Sequence, residues 1–140
     1  MMKWKGFLLL LIGFALLYAV QYGNIATGSY VDAGKTEYIH TKVVNGENKQ
    51  RFFSEVHNGS SVRWNYDVYT TEGDPIHCTL EYDANRHEYQ ITIDTRDDKF
   101  GHPSVTVINC KGYSYEEDQL TSCDQPPGIV PLEGETVHPK

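Results

Sequence analysis

Positive charge is scarce in this chain of 140 residues: 12 Lys and Arg stand against 19 Asp and Glu, for a formal net charge of −7. A phosphate backbone is held by clustered basic side chains that release counterions. Their shortage excludes nucleic acid as an expected partner. Cysteine is also sparse, with three residues, so this is no disulfide-dense scaffold, and a chain of this length buries enough surface to fold without one. There is no long segment of 3.6-residue apolar period, which argues against a helical bundle. Long hydrophobic runs are missing too, with one exception at the N-terminus.

That exception is Gly6 to Val20, a run without a charged side chain that follows Lys3 and Lys5. As a helix it measures about 22 Å, less than the roughly 30 Å core of a bilayer, so length alone does not separate a cleaved signal from an anchor. The small-residue pattern Ala26-x-Gly28 fits a cleavage site. Trp4 and Tyr22 fit interfacial belts at the two ends of an uncleaved anchor, with Lys3 and Lys5 snorkelling to headgroups. Either way the lysine pair keeps the N-terminus cytoplasmic and sends the remainder outward. The expectation is a protein in the cell membrane through residues 6–20, single-pass with its C-terminal domain outside the cytoplasm, or a secreted one if the leader is removed.

The organisation read from composition has four parts. Residues 1–22 are the hydrophobic signal or signal-anchor, and 23–35 a Gly, Ser and Asp-rich spacer. Residues 36–123 form a β-rich extracytoplasmic domain, and 124–140 a Pro and Gly-rich tail. Within the domain, apolar alternation of period two is broken by turn residues about every ten positions, the pattern of an all-β antiparallel meander of about six strands. Glu37 to Val44 and Gln50 to His57 read as a hairpin joined at Asn45-Gly46, a dipeptide suited to a type I′ turn. Val62 to Val68 follows, with Val62, Trp64, Tyr66 and Val68 directed to the core. Next come Ile76 to Tyr82, Tyr89 to Asp94 and Ser104 to Cys110. Sequential hairpins of this kind close as a single sheet, a small sandwich or a barrel. Ser114 and Glu117 have the spacing of a capping box, which predicts a short helix to about Leu120.

In an exported chain three cysteines imply one disulfide and one thiol. Cys78 shares the apolar face of its strand with Ile76 and Leu80. Cys110 ends a strand and Cys123 follows the acidic excursion, so the favoured pair is Cys110 with Cys123, ahead of Cys78 with Cys110.

Chemistry-bearing motifs are few. Gly112-Tyr113-Ser114-Tyr115-Glu116 resembles the start of a nucleophile elbow but ends in Glu and lacks a parallel α/β context, which leaves Ser114 as a cap. The histidines His40, His57, His77, His87, His102 and His138 form no pair at ligand spacing, so no metal site is expected. Asp94, Asp97 and Asp98, with Glu72 and Asp74, do not have the spacing of an EF-hand loop and read as a solvated acidic surface. No cofactor is implied. Ten tyrosines remain, of which Tyr69, Tyr113 and Tyr115 fall outside the predicted core faces. Exposed aromatic rings supply contact area at low entropic cost, so these three are the candidate binding residues, for a protein or carbohydrate partner. Asn58-Gly59-Ser60 is also an N-glycosylation sequon within a turn. The expected function is a binding module; the alternatives are an exported hydrolase or inhibitor, and an accessory subunit of a membrane complex.

Overall fold

The structure, a computed structural model, describes residues 29–126. The apolar segment, its flanks and most of the expected tail lie outside them. Seven strands and one helix follow in the order β1 (Val31–Ile39), β2 (Lys42–Val44), α1 (Glu47–His57), β3 (Val62–Tyr69), β4 (Pro75–Asp83), β5 (Glu88–Asp94), β6 (Val105–Ser114) and β7 (Gln119–Cys123). They make one curled sheet of order β2-β1-β3-β4-β5-β6-β7.

From β3 to β7 the chain is the antiparallel meander that the alternation predicts. Its inner face is a set of cross-strand rows. Trp64, Leu80, Ile91 and Ile108 form one row, each directly opposite the next, and all four are buried. Burying a side chain of this size stabilises by roughly 1.5–3 kcal/mol. Val62, Tyr82, Tyr89 and Cys110 form the neighbouring row.

The N-terminal third departs from the expected hairpins, and the sheet is mixed. Residues 50–57 are part of α1, not a strand. In a strand the doublet Phe52-Phe53 would point to opposite faces, whereas a helix sets Phe52, Phe53 and Val56 along one side. Phe52 is completely buried there, with its ring 6.1 Å from that of Trp64. Asn45-Gly46 does not make a type I′ turn, because Asn45 is at φ 55 but Gly46 is at φ −61 and such a turn needs both positive. Glu37 to Val44 is divided by a two-residue turn at His40-Thr41, with Ile39 opposite Lys42. With α1 as the crossover, β1 and β3 lie side by side and parallel, as a helix-containing connection permits.

β1 also begins at Val31, inside the segment read as spacer. The small residues there serve packing. Ala33 has no exposed surface, and Gly34, at φ 101, forms a bulge in which two residues of β1 oppose one of β3. A Cβ at Gly34 would lie 2.9 Å from the Asn48 side chain of α1.

The predicted helix after Ser114 is absent. Ser114 Oγ does accept the Glu117 N–H, at 3.2 Å, but the contact closes a four-residue hairpin turn, and the chain returns as β7 with Ser114 opposite Gln119. A local cap bond thus forms without a helix to cap, since Leu120 is buried across from Tyr113. Cys110 and Cys123, opposite one another on β6 and β7, are joined in the disulfide. Cys78 is a buried free thiol, pushed up to about 12 first by burial, as expected of an inert apolar group.

Candidate functional site

The outer face of the sheet is polar and organised by the same register. Asp67 on β3 stands directly opposite His77 on β4. Lys35 Nζ lies 2.6 Å from Asp67 Oδ2, His77 Nδ1 lies 2.7 Å from Asp67 Oδ1, and His77 Nε2 lies 3.0 Å from Asp97 Oδ2. Asp67 is buried among these partners although it belongs to the outer face. A neutral imidazole has one N–H and one bare nitrogen. Two carboxylates on its two nitrogens therefore call for the imidazolium, and the pKa of His77 is raised, chiefly by the hydrogen bond with Asp67. The same carboxylate, through its hydrogen bond, raises Lys35.

A carboxylate-held histidine is half of a general-base device, and the other half is a hydroxyl or thiol within reach of the free nitrogen. Here Nε2 is occupied by Asp97. Among the described residues no hydroxyl or thiol hydrogen-bonds to His77, and Cys78 is on the opposite face of β4. The arrangement clasps the loop after β5 to the sheet; it does not present a nucleophile.

The acidic residues weighed as calcium ligands are each engaged separately. Asp94 binds Arg96, whose guanidinium pulls its carboxyl down to about 2. Asp98 accepts the backbone N–H groups of Phe100 and Gly101. Asp74 accepts that of Lys99, and Glu72 accepts the Thr71 hydroxyl. Among the described residues no group of three or more His, Cys, Asp or Glu could hold a metal ion. Of the histidines, His87 Nδ1 meets the Tyr82 hydroxyl at 3.1 Å; His138 lies outside the described residues.

The structure brings two of the three candidate tyrosines together and leaves the third apart. Tyr113 stacks on Phe53 of α1 with ring centroids 4.2 Å apart, Tyr115 meets Phe53 at 5.5 Å, and the two tyrosines meet edge to face at 4.9 Å. Tyr89 extends the cluster toward the core, 6.4 Å from Tyr113. The Tyr113 hydroxyl donates to Asp118, which also holds Lys49 of α1. Helix and hairpin are thereby tied together. Tyr113 is partly buried and packs against the core, contrary to its expected exposure, and it stands directly opposite the buried Leu120 of β7. Ile108 and Cys110 point inward and so does Tyr113, an odd number of residues further on. Tyr115 is 65 % exposed. Tyr69, at the far end of β3 opposite Pro75, is likewise partly buried and lies outside the aromatic cluster, near enough to Lys35 to act on its charge.

Phe53 and the Asp67–His77 pair were not among the sequence candidates. The pair was legible once β3 and β4 are read as a hairpin, since their register sets 67 against 77. Phe53 was hidden by the strand reading of 50–57.

Residues 36–124 match the family described as Domain of unknown function (DUF4362). No curated protein and no solved structure matches the chain.

Proposed function

The chain belongs to the DUF4362 family, and on that footing we propose that it is a binding module, carried outside the cytoplasm by its N-terminal apolar segment and recognising a protein or carbohydrate partner through the aromatic cluster around Tyr115. The observation that carries this reading is the exposure of Tyr115 on a pedestal of fixed rings. Phe53 and Tyr113 hold it from beneath, and the Cys110–Cys123 disulfide pins the strand pair that bears it. A large ring whose orientation is already set gives contact area with little entropy left to lose, which is how interface anchors act. Tyr113 serves as the support of that ring. Tyr69, apart from the cluster, adds at most a second, separate contact.

The hydrolase alternative draws no support from His77, whose two nitrogens are both engaged by carboxylates. The net charge of −7 favours a basic partner, with an association rate that salt slows as the Debye length shrinks from about 10 Å at 0.1 M to about 3 Å at 1 M.

The test is retention of the chain by intact envelope material and by an immobilised glycan panel, for the parent and for Tyr115→Ala. The expected outcome is a loss of at least 1 kcal/mol of binding at an unchanged Tm, since an interface anchor of this kind is worth that much. Tyr113→Ala should lower both binding and Tm. Unchanged retention of Tyr115→Ala would sink the reading.

A further inference from the structure

The loop between β5 and β6 holds its own shape. At its base the Thr95 N–H donates to the Ser104 carbonyl at 2.9 Å and the Thr95 hydroxyl to the His102 carbonyl at 2.8 Å. At its tip Asp98 accepts the N–H groups of Phe100 and Gly101, each at 3.0 Å. Arg96 turns back on Asp94 at the root of the loop. Among the described residues two polar contacts tie this closed unit to the β3–β4 hairpin. His77 Nε2 meets Asp97 Oδ2 at 3.0 Å. Asp74, in the turn before β4, accepts the Lys99 N–H at 3.2 Å, and its other oxygen lies 3.4 Å from Lys99 Nζ.

The two carboxylates that share the His77 imidazole are unequal. The side chain of Asp67, on Nδ1, is 6 % exposed and is also held by Lys35, whereas that of Asp97, on Nε2, is 68 % exposed. An imidazolium donates to both, but a neutral imidazole has a single N–H. A buried carboxylate oxygen turned toward a bare nitrogen loses its partner outright, while an exposed one finds water. The remaining proton therefore stays on Nδ1, and Nε2 presents a lone pair to the Asp97 carboxylate. The other charged groups around the ring are already matched. Asp94, directly opposite His77 on β5, is paired with Arg96. Lys35, on which Glu37 and Tyr69 also act, is paired with Asp67.

We propose that the His77–Asp97 contact is a pH-operated latch on the 95–104 loop, shut on the β3–β4 hairpin while the imidazole is charged and released when it is neutral. Release moves Asp97 and the exposed ring of Phe100 as one body, because the bonds that shape the loop lie within it. The direction follows from linkage. The folded pKa of His77 lies above 6.5, so the loop is shut below about 6.5 and opens as pH climbs through the folded value. The latch is separate from Tyr115 and stands whether or not that ring binds a partner.

The full chain, labelled with 15N in mild detergent, is titrated from about pH 5 to about pH 9, on either side of the ordinary histidine range. Imidazole nitrogen shifts give the pKa of His77 and the seat of its last proton. Exchange of the Lys99 amide, corrected for its intrinsic pH dependence, reports docking of the loop on Asp74. Protection of that amide should fall with its midpoint at the pKa of His77, and the neutral ring should keep its proton on Nδ1. Asp97→Ala, at an exposed position, should lower the pKa of His77 and leave Lys99 weakly protected at every pH. Linkage sets the size: protection in the parent should fall about tenfold for each unit by which its His77 pKa exceeds that of Asp97→Ala. Asp97→Asn, whose amide accepts from the imidazolium or donates to the neutral ring, should keep Lys99 protected throughout. A Lys99 amide indifferent to pH in the parent, a neutral ring protonated on Nε2, a parent-like profile in Asp97→Ala, or protection lost at high pH in Asp97→Asn overturns the proposal.

Discussion

The indole N–H of Trp64 donates to Thr36 Oγ1 at 3.0 Å, and the Thr36 hydroxyl passes its own proton to the Asn45 carbonyl at 2.9 Å. Neither Trp64 nor Thr36 has exposed surface. This short relay joins β3, β1 and the turn before α1. It satisfies three polar groups in a place where each would be costly alone.

Thr36→Val keeps the shape of the side chain but strands the Trp64 N–H and the Asn45 carbonyl. The expected loss is about 1–3 kcal/mol for a buried group left without its partner. Thr36→Ser, which retains the oxygen, should recover most of it. Urea unfolding followed by tryptophan fluorescence measures both.

Stability should depend on pH through His77. Its folded pKa is raised above the ordinary value of 6.5. The stabilisation it supplies is therefore complete below about 6.5 and is lost as pH rises through the folded value. Tm should fall across that window, while His77→Gln should show a flatter profile. At the acid end the sign reverses, because Asp94 is lowered to about 2 and its pairing with Arg96 is lost as pH drops through that range. His77 is 39 % exposed and Arg96, the partner of Asp94, 67 %, so the effects are modest and shrink in salt. A Tm of the parent that rises above pH 7 contradicts this account.

Gly34→Ala should destabilise by about 1–3 kcal/mol, the usual cost of a strained backbone conformation forced on a residue with a Cβ. The strain adds to the approach of 2.9 Å to Asn48, whose amide bonds the Lys35 carbonyl at 2.9 Å. Thermal unfolding of the variant, with Gly59→Ala as a comparison at a positive φ in open space, separates the contact from the strain.

How far the sequence could be read depended on whether one period explained each stretch. In β3, β4 and β5 the alternation of Val62, Trp64 and Tyr66, of Cys78 and Leu80, and of Tyr89 and Ile91 has no helical counterpart, so strands, faces and neighbours were all legible. Phe52-Phe53 and Val56 share one side of a helix but would fall on both faces of a strand, a difference that tells only once the Trp64 ring above β3 gives that side a core to meet. Ser114 and Glu117 form their predicted contact, yet the same contact serves a turn, and nothing local reveals that Leu120 is wanted in the core. Small residues at Ala33 and Gly34 look the same whether they make a chain flexible or let a helix come close. The Asp67–His77 pairing followed from register, but Asp97 arrives from a loop whose path no pattern predicts.

The parallel pairing of β1 with β3 bears on the order of assembly. Every other strand pair joins neighbours in the chain, so each can zip from its own turn as soon as both halves exist. β1 has only the three-residue β2 to pair with until α1 has formed and turned the chain back. Closing that longer loop costs entropy that no contact repays until β3 is in place. The β3–β7 ribbon is thus the unit able to nucleate, and β1, though first to be synthesised, is added last. Weakening Trp64 or Leu80 should slow folding, whereas weakening Ala33 or Thr36 should chiefly speed unfolding.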